Sequence, residues 1–387
     1  MLASYPPLEA YRRDVARRGV QRAFGADDGR WLATSVLLQR YVEAGPDERR
    51  RIGPELAEYL ASDDELTVIS AGLRVANELE EAGALHLANS WLSLLGRLVA
   101  PERALDVGRV VSHRARLARK LGAPETAHAL YAQVESLGES NAEPELTARA
   151  WLGYATLAQS SGNNPENRRW CLAAALVADD TGCVEQSFNA HQGLMVAAGR
   201  DGDFDTAMVE GWRAFGFCEG IPEREAQILA NIAQILYETG RHAAALRGFA
   251  AVVSRTTMPR VLLGVLGGAA TAAAALGDRR VVTAAAERIE RLAGSAWAFP
   301  TAQAFLDLSR AYDAVGATSV ADEYRARGRE IAVANGFDQL VQRADHPPVP
   351  VQRDATSIPR VQFGTAATRV ISDIEVLDAP ADLCAAA

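Results

Sequence analysis

The chain has 387 residues, 49% of them hydrophobic, and 40 Lys and Arg against 49 Asp and Glu give a formal net charge of −9. That balance argues against nucleic-acid binding driven by overall charge, while the apolar share suffices for a continuous core. The opening MLASYPPLEA has neither a basic start nor an apolar run, so no secretory leader is expected, and Cys171, Cys183, Cys218 and Cys384, without a CxxC, are expected as free thiols in a cytoplasmic protein.

Residues 1–65 carry three candidate helices: Leu8–Phe24, Trp31–Val42, and one opened by Pro46-Asp47-Glu48 that reaches about Leu60. Acidic residues at that third start suit a helix N-terminus. These helices are expected to cap the exposed apolar face of a repeat array, with a separate small domain as the alternative. Arg12, Arg13, Arg17, Arg18 and Arg22 read as a solvated face or as a dock for an acidic partner.

From residue 66 a period sets in. Gly83, Gly122, Gly162, Gly202, Gly240, Gly277 and Gly316 are separated by 39, 40, 40, 38, 37 and 39 residues. Pro101, Pro144, Pro222, Pro259 and Pro300 fall near the alternate junctions. Glycine ends a helix where the backbone turns left-handed, and proline is tolerated in a helix's first turn. A spacing of this size built from helix pairs marks a stacked helical array. Glu223–Val252 shows the plan: Leu229, Ile232, Ala233 and Leu236 form one apolar stripe, Gly240 ends it, and Ala245, Phe249 and Val252 restart the spacing. Asn164 is expected to cap a helix, with Pro165 at its first position.

The nearly uncharged stretch Val261–Leu276 is short against the roughly 20 residues of a membrane span and reads as a closely packed buried helix. Beyond Ala344, Pro347, Pro348 and Pro350 end the helical pattern. Val370–Leu377 alternates in part and reads as a strand for a partner, within a tail expected to be flexible. A further option is a tail folded back, with Asp373, Glu375 and Asp378 opposite the basic stretch Arg109–Lys120.

Catalytic patterns are missing. His86, His113, His128, His191, His242 and His346 are scattered without HExxH, and no GxSxG, P-loop or strand-following GxGxxG occurs. Gly264-Val265-Leu266-Gly267-Gly268 lies inside a helical period. Cys171, beside Trp170, and Cys183 read as core residues. No enzyme, metal or cofactor is expected.

Trp151-Leu152-Gly153-Tyr154-Ala155 has the large–small–large order of a first repeat helix, and Gly202-Asp203-Phe204-Asp205-Thr206-Ala207 with Ala214 has the turn and second helix. Phe305, Leu308, Ser309, Tyr312, Gly316 and Ala321 repeat both; Ala127 with Tyr131, and Ala88, repeat the second helix. This pattern resembles tetratricopeptide (TPR) repeats, with units nearer 39 than the family's usual length of about 34 residues, as in bacterial signalling TPR proteins. The resemblance implies an all-α fold, a right-handed superhelical solenoid of seven stacked antiparallel helix hairpins. It would span residues 66–343, between a cap at 1–65 and a tail at 344–387.

In such a fold the first helices of the hairpins line a groove. Arg109, His113, Arg116 and Lys120, spaced 4, 3 and 4, share one helix face. The resemblance aims them at an acidic segment or a carboxylate terminus; a solvated basic face is the other reading. By the same resemblance Asn189 and Gln192, then Gln227, Asn231 and Gln234, then Gln303, Asp307 and Arg310 continue the groove, with amides suited to a peptide backbone; an ordinary polar surface is the other reading. Gly264, Gly267, Gly268 and Thr271 offer close packing, either between helices or against a partner backbone. The implied function is a non-enzymatic scaffold that binds a protein or peptide, with neither nucleic acid nor membrane as its partner. The alternatives are a peptide-responsive regulatory sensor and a structural subunit of a larger complex.

Overall fold

The computed structural model describes residues 53–56, 58–59, 65–81, 84–97, 99–218, 220–293, 298–334, 337–346 and 362–377. The Arg12–Arg22 cluster, Gly83, Asp378 and Cys384 lie outside them, as do the first two candidate helices. Helices and turns make up the described residues, and no strand occurs among them. The chain divides into two compact units, 1–187 and 188–387.

The first unit holds α1 (Glu65–Glu81), α2 (Leu85–Leu95), α3 (Ala104–Lys120), α4 (Pro124–Asn141), α5 (Pro144–Ser160) and α6 (Asn164–Thr181). α7 (Val184–Arg200) begins at its end. The second unit continues with α8 (Phe204–Gly216), α9 (Pro222–Glu238), α10 (His242–Val253), α11 (Pro259–Ala275), α12 (Arg279–Ala293), α13 (Ala298–Ala314), α14 (Thr318–Ala334), α15 (Asp338–Asp345) and α16 (Thr365–Glu375). From α1 to α6 and again from α8 to α15 each helix packs on its sequence neighbours, and odd-numbered helices also pack on one another: α1 on α3 and α3 on α5 in the first unit, α9 on α11, α11 on α13 and α13 on α15 in the second. Each unit therefore has an inner row of first helices and an outer row of second helices, the all-α solenoid arrangement expected from the period.

The expected turn glycines have left-handed backbones: φ is 77° at Gly122, 76° at Gly162, 74° at Gly202, 77° at Gly240, 75° at Gly277 and 78° at Gly316. The alternate junctions use the same device at Ala142 (φ 54°), Gly182 (71°) and Gly220 (79°). From 122 to 202 the left-handed residue thus recurs every 20 positions, half the period read from the sequence. Ala142 hid this regularity, because a non-glycine residue in that conformation gives no sequence signal.

Buried apolar side chains fill the space between the rows, among them Trp91, Leu92, Leu117 and Leu146 in the first unit and Ile232, Leu236, Leu263 and Leu308 in the second. Leu56 and Tyr59, from the expected third N-terminal helix, are fully buried, and Tyr59 meets Trp91 edge-on at 5.0 Å between ring centroids. Close approach depends on small residues: a Cβ added at Gly153 would fall 2.3 Å from the Tyr131 ring. α11 is the expected buried helix, and no described helix is long and apolar enough to cross a membrane.

Two local expectations need correction. The cap of α6 is Asn163, whose side chain accepts from the Glu166 N–H; Asn164 is already helical and Pro165 follows it. The residues expected as a strand over 370–377 instead enter α16. Ala367, Val370, Ile371 and Ile374 fall at i, i+3, i+4 and i+7, one helical stripe, and all four are buried. Part of the stretch expected as a flexible tail is thus a helix packed on α8 and α10.

Candidate functional site

On α3 the basic stripe does share one face, but its charges have partners within the chain. Arg109 donates two parallel hydrogen bonds of 2.9 Å to Glu145 of α5. Arg116 lies 2.7 Å from Glu80 of α1 and donates to the Asn77 side chain at 2.6 Å, and Lys120 reaches the other Glu80 oxygen at 2.5 Å. Glu145 also takes Arg149 at 3.1 Å, and Arg149 continues to Glu185 at 3.4 Å. Burial raises the Glu145 carboxyl, but Arg109 and Arg149 outweigh it and hold the group below the ordinary carboxylate range. Burial, with Arg116 and Arg149 adding to it, pushes His113 down to about 3, so its ring is neutral at pH 7. This stripe is a charge ladder between neighbouring repeats. Its carboxylate rungs were absent from the sequence reading, although Arg109–Glu145 and Arg149–Glu185 each span 36 residues, close to one period.

In the second unit the expected groove residues come together. A cavity of about 720 Å³ lies on the inner row, across α9, α11 and α13. Gln227, Asn231 and Gln234 line it from α9, and Gln303, Asp307 and Arg310 from α13. Gly264, Gly268 and Thr271 face it from α11. A Cβ added at Gly264 would meet nothing within 4 Å, so this glycine opens space. Gly267 and Gly268 serve close packing: a Cβ would lie 2.9 Å from Asp307 and 2.5 Å from the Phe249 ring, respectively. Of the remaining candidates, Asn189 is exposed and Gln192 half-buried on α7, and neither lines this cavity.

Asp307 is the buried charge of the site. It pairs with Arg343 of α15 and lies 3.7 Å from the Arg310 guanidinium. Burial holds its carboxyl above the ordinary aspartate range, against the pull of both arginines. Arg343 escaped the sequence reading, which ended the array at residue 343. The signal was again the period, since Arg343 follows Asp307 by 36 residues. Glu223, Arg224, Tyr237 and Arg260 also line the cavity without having been anticipated. The wall thus combines amide donors and acceptors with one buried acid between arginines, a set suited to main-chain peptide groups.

No group of His, Cys, Asp and Glu among the described residues is arranged to hold a metal ion. Cys171 is buried, and burial pushes its thiol up to about 12, far from a reactive thiolate. Cys218 is likewise buried and pushed up to about 11, while Cys183 is half-exposed.

Among solved structures, the chain is similar to the signal transduction ATPase with numerous domains (STAND) protein with a tetratricopeptide repeat sensor from Pyrococcus horikoshii. The TM-score is 0.57 at 12% identity, over 88% of this chain and 55% of that one. The fold is a TPR-like helical repeat. This chain spans only about half the length of that neighbour, and the identity supports likeness of fold alone. BtubC (BKLC) from P. vanneervenii aligns over 76% of this chain and 93% of its own at 13% identity, with a TM-score of 0.37, too low to argue from. No family model and no curated protein matches the sequence.

Proposed function

We propose that this TPR-like chain is a non-enzymatic binding module, cytoplasmic in setting, that takes an extended peptide segment of a partner protein into the inner-row cavity of its second unit. The observation that carries this reading is convergence. Six polar positions from two repeats, chosen for their place on first helices, line one space that Gly264 leaves open. Amides spaced along α9 can pair with successive peptide groups whatever the side chains, and Asp307 with its arginines supplies a polar anchor. The first unit's basic stripe is a weaker candidate for an acidic segment, because Glu80 and Glu145 already occupy its cations.

The test is a peptide-array selection on the full chain, followed by calorimetry on the selected peptides. Changing Gln227, Asn231 and Gln303 together to Ala should weaken binding at least about tenfold. Changing Arg109, Arg116 and Lys120 together to Ala should leave affinity unchanged. The opposite result would move recognition to the first unit. A regulatory role, in which the bound segment reports a signal, is a second reading that draws support from the fold likeness to a protein described as a TPR sensor.

A further inference from the structure

On the outer row of the second unit, α16 lies across α8 and α10. Four contacts fix its register. The Gly364 N–H donates to Asp205 Oδ1 at 2.6 Å, and Arg241 stacks on the Phe363 ring at 5.0 Å. Ile374 sits over Gly248, its Cγ2 3.9 Å from where a Cβ would be, and Arg247 donates to the Glu375 carbonyl. An acid thus receives the start of this helix, an arginine receives its end, and apolar residues lie between.

The first unit has a related bed on which no described helix lies. Its turn glycines Gly122 and Gly162 correspond to Gly202 and Gly240, which are 80 and 78 positions further on. By those offsets Asp205 corresponds to Glu125, Arg241 to Asn163, Arg247 to Arg169 and Gly248 to Trp170. Glu125, Asn163 and Trp170, together with His128, Tyr154 and Leu157, line an open cavity of about 860 Å³. Tyr154 approaches Trp170 at 5.1 Å and His128 at 5.0 Å, so its wall is aromatic. Arg169 keeps the arginine of the pattern, with its side chain 65% exposed and its guanidinium 4.6 Å from the Trp170 ring centre.

We infer that this cleft of the first unit docks an amphipathic helix of a partner protein in the manner of α16. Glu125 receives the N–H groups at the helix start, and Arg169 receives the carbonyls at its end. This is the polarity that the helix dipole favours. The apolar stripe of the guest rests on Tyr154, Leu157 and Trp170. Because Trp170 fills the space left open by Gly248, the guest carries a small residue where α16 carries Ile374. The site is separate from the inner-row cavity and does not depend on it.

The probe is a fluorescein-labelled peptide, Gln362–Leu377 of this chain with Ile374→Ala, titrated into the full chain by anisotropy. One peptide should bind per chain, and the peptide that retains Ile374 should bind more weakly. Glu125→Lys with Arg169→Glu, both at exposed positions, should weaken binding at least about tenfold, whereas Asp205→Lys should not. Trp170→Gly should reverse the preference between the two peptides, a gain that misfolding cannot imitate. Absence of saturable binding overturns the proposal. So does binding removed only by Asp205→Lys, which would mean exchange with α16. Self-association abolished by the Glu125 and Arg169 changes would also overturn it, since the guest would then be a second copy.

Discussion

The two units use opposite faces of the same repeat for themselves. In the first, the inner row is closed by ion pairs between repeats, Arg109 with Glu145 and Arg116 and Lys120 with Glu80, while the outer row keeps an aromatic cleft. In the second, α16 covers α8 and α10 of the outer row, while the inner row keeps a cavity walled by amides. Stacking prescribes where side chains point, because first helices always meet first helices. Which of those positions stay open is decided by a handful of substitutions, such as Gly264 for bulk or Glu145 for an unpaired surface.

The largest effect that would break this comparison is on binding. Gly264→Trp places a large side chain in the second unit's cavity from a position whose Cβ meets nothing within 4 Å, so affinity for a selected peptide should fall by at least about 2 kcal/mol, roughly 30-fold, with the melting temperature unchanged. Calorimetry checks the first part and thermal circular dichroism the second. Retained affinity would remove the inner-row cavity from recognition.

Next in size is packing. Gly153→Ala would force a Cβ against Tyr131 and should destabilise the first unit by about 2 kcal/mol. Hydrogen exchange should show faster opening across α4 and α5 and no change across α11 and α13.

Acid should act with opposite sign on His113 and Glu145 of the first unit and on Asp307 of the second. His113 is lowered to about 3, so its contribution is full above its ordinary 6.5 and fades as pH falls toward 3. Glu145 is also lowered, and its contribution, full above 4.5, is lost as pH falls through its folded value. Asp307 is raised, so the second unit gains from it as pH falls toward 3.8. The slope for each group is at most about 1.4 kcal/mol per pH unit. Exchange-monitored stability of the first unit should therefore decline between pH 6.5 and 4, and His113→Gln should flatten the decline. A flat wild-type profile would remove His113 and Glu145 as the acid-sensitive groups.

The smallest change tests the half-period. Ala142→Gly relieves a left-handed backbone and should stabilise the first unit by about 0.5–1 kcal/mol, whereas Gly122→Ala should cost about 1 kcal/mol. Urea unfolding midpoints distinguish the two.

By itself the sequence determined the helix pairs and their junctions, because glycine at a left-handed turn and an apolar stripe at helical spacing are local properties of the chain. The resemblance to TPR repeats carried by that pattern pointed Gln227, Asn231, Gln234, Gln303, Asp307 and Arg310 to the groove side of first helices. Only the tertiary structure decided that these six line one cavity, that the cations of α3 are already paired, and that residues 365–375 form a helix on the outer row. Each of those facts depends on contacts between residues far apart in the chain, from the 36 positions between Arg109 and Glu145 to the 159 between Asp205 and Gly364. Local pattern assigns a face to a side chain. Its partner is chosen by packing, where burial and charge are settled together.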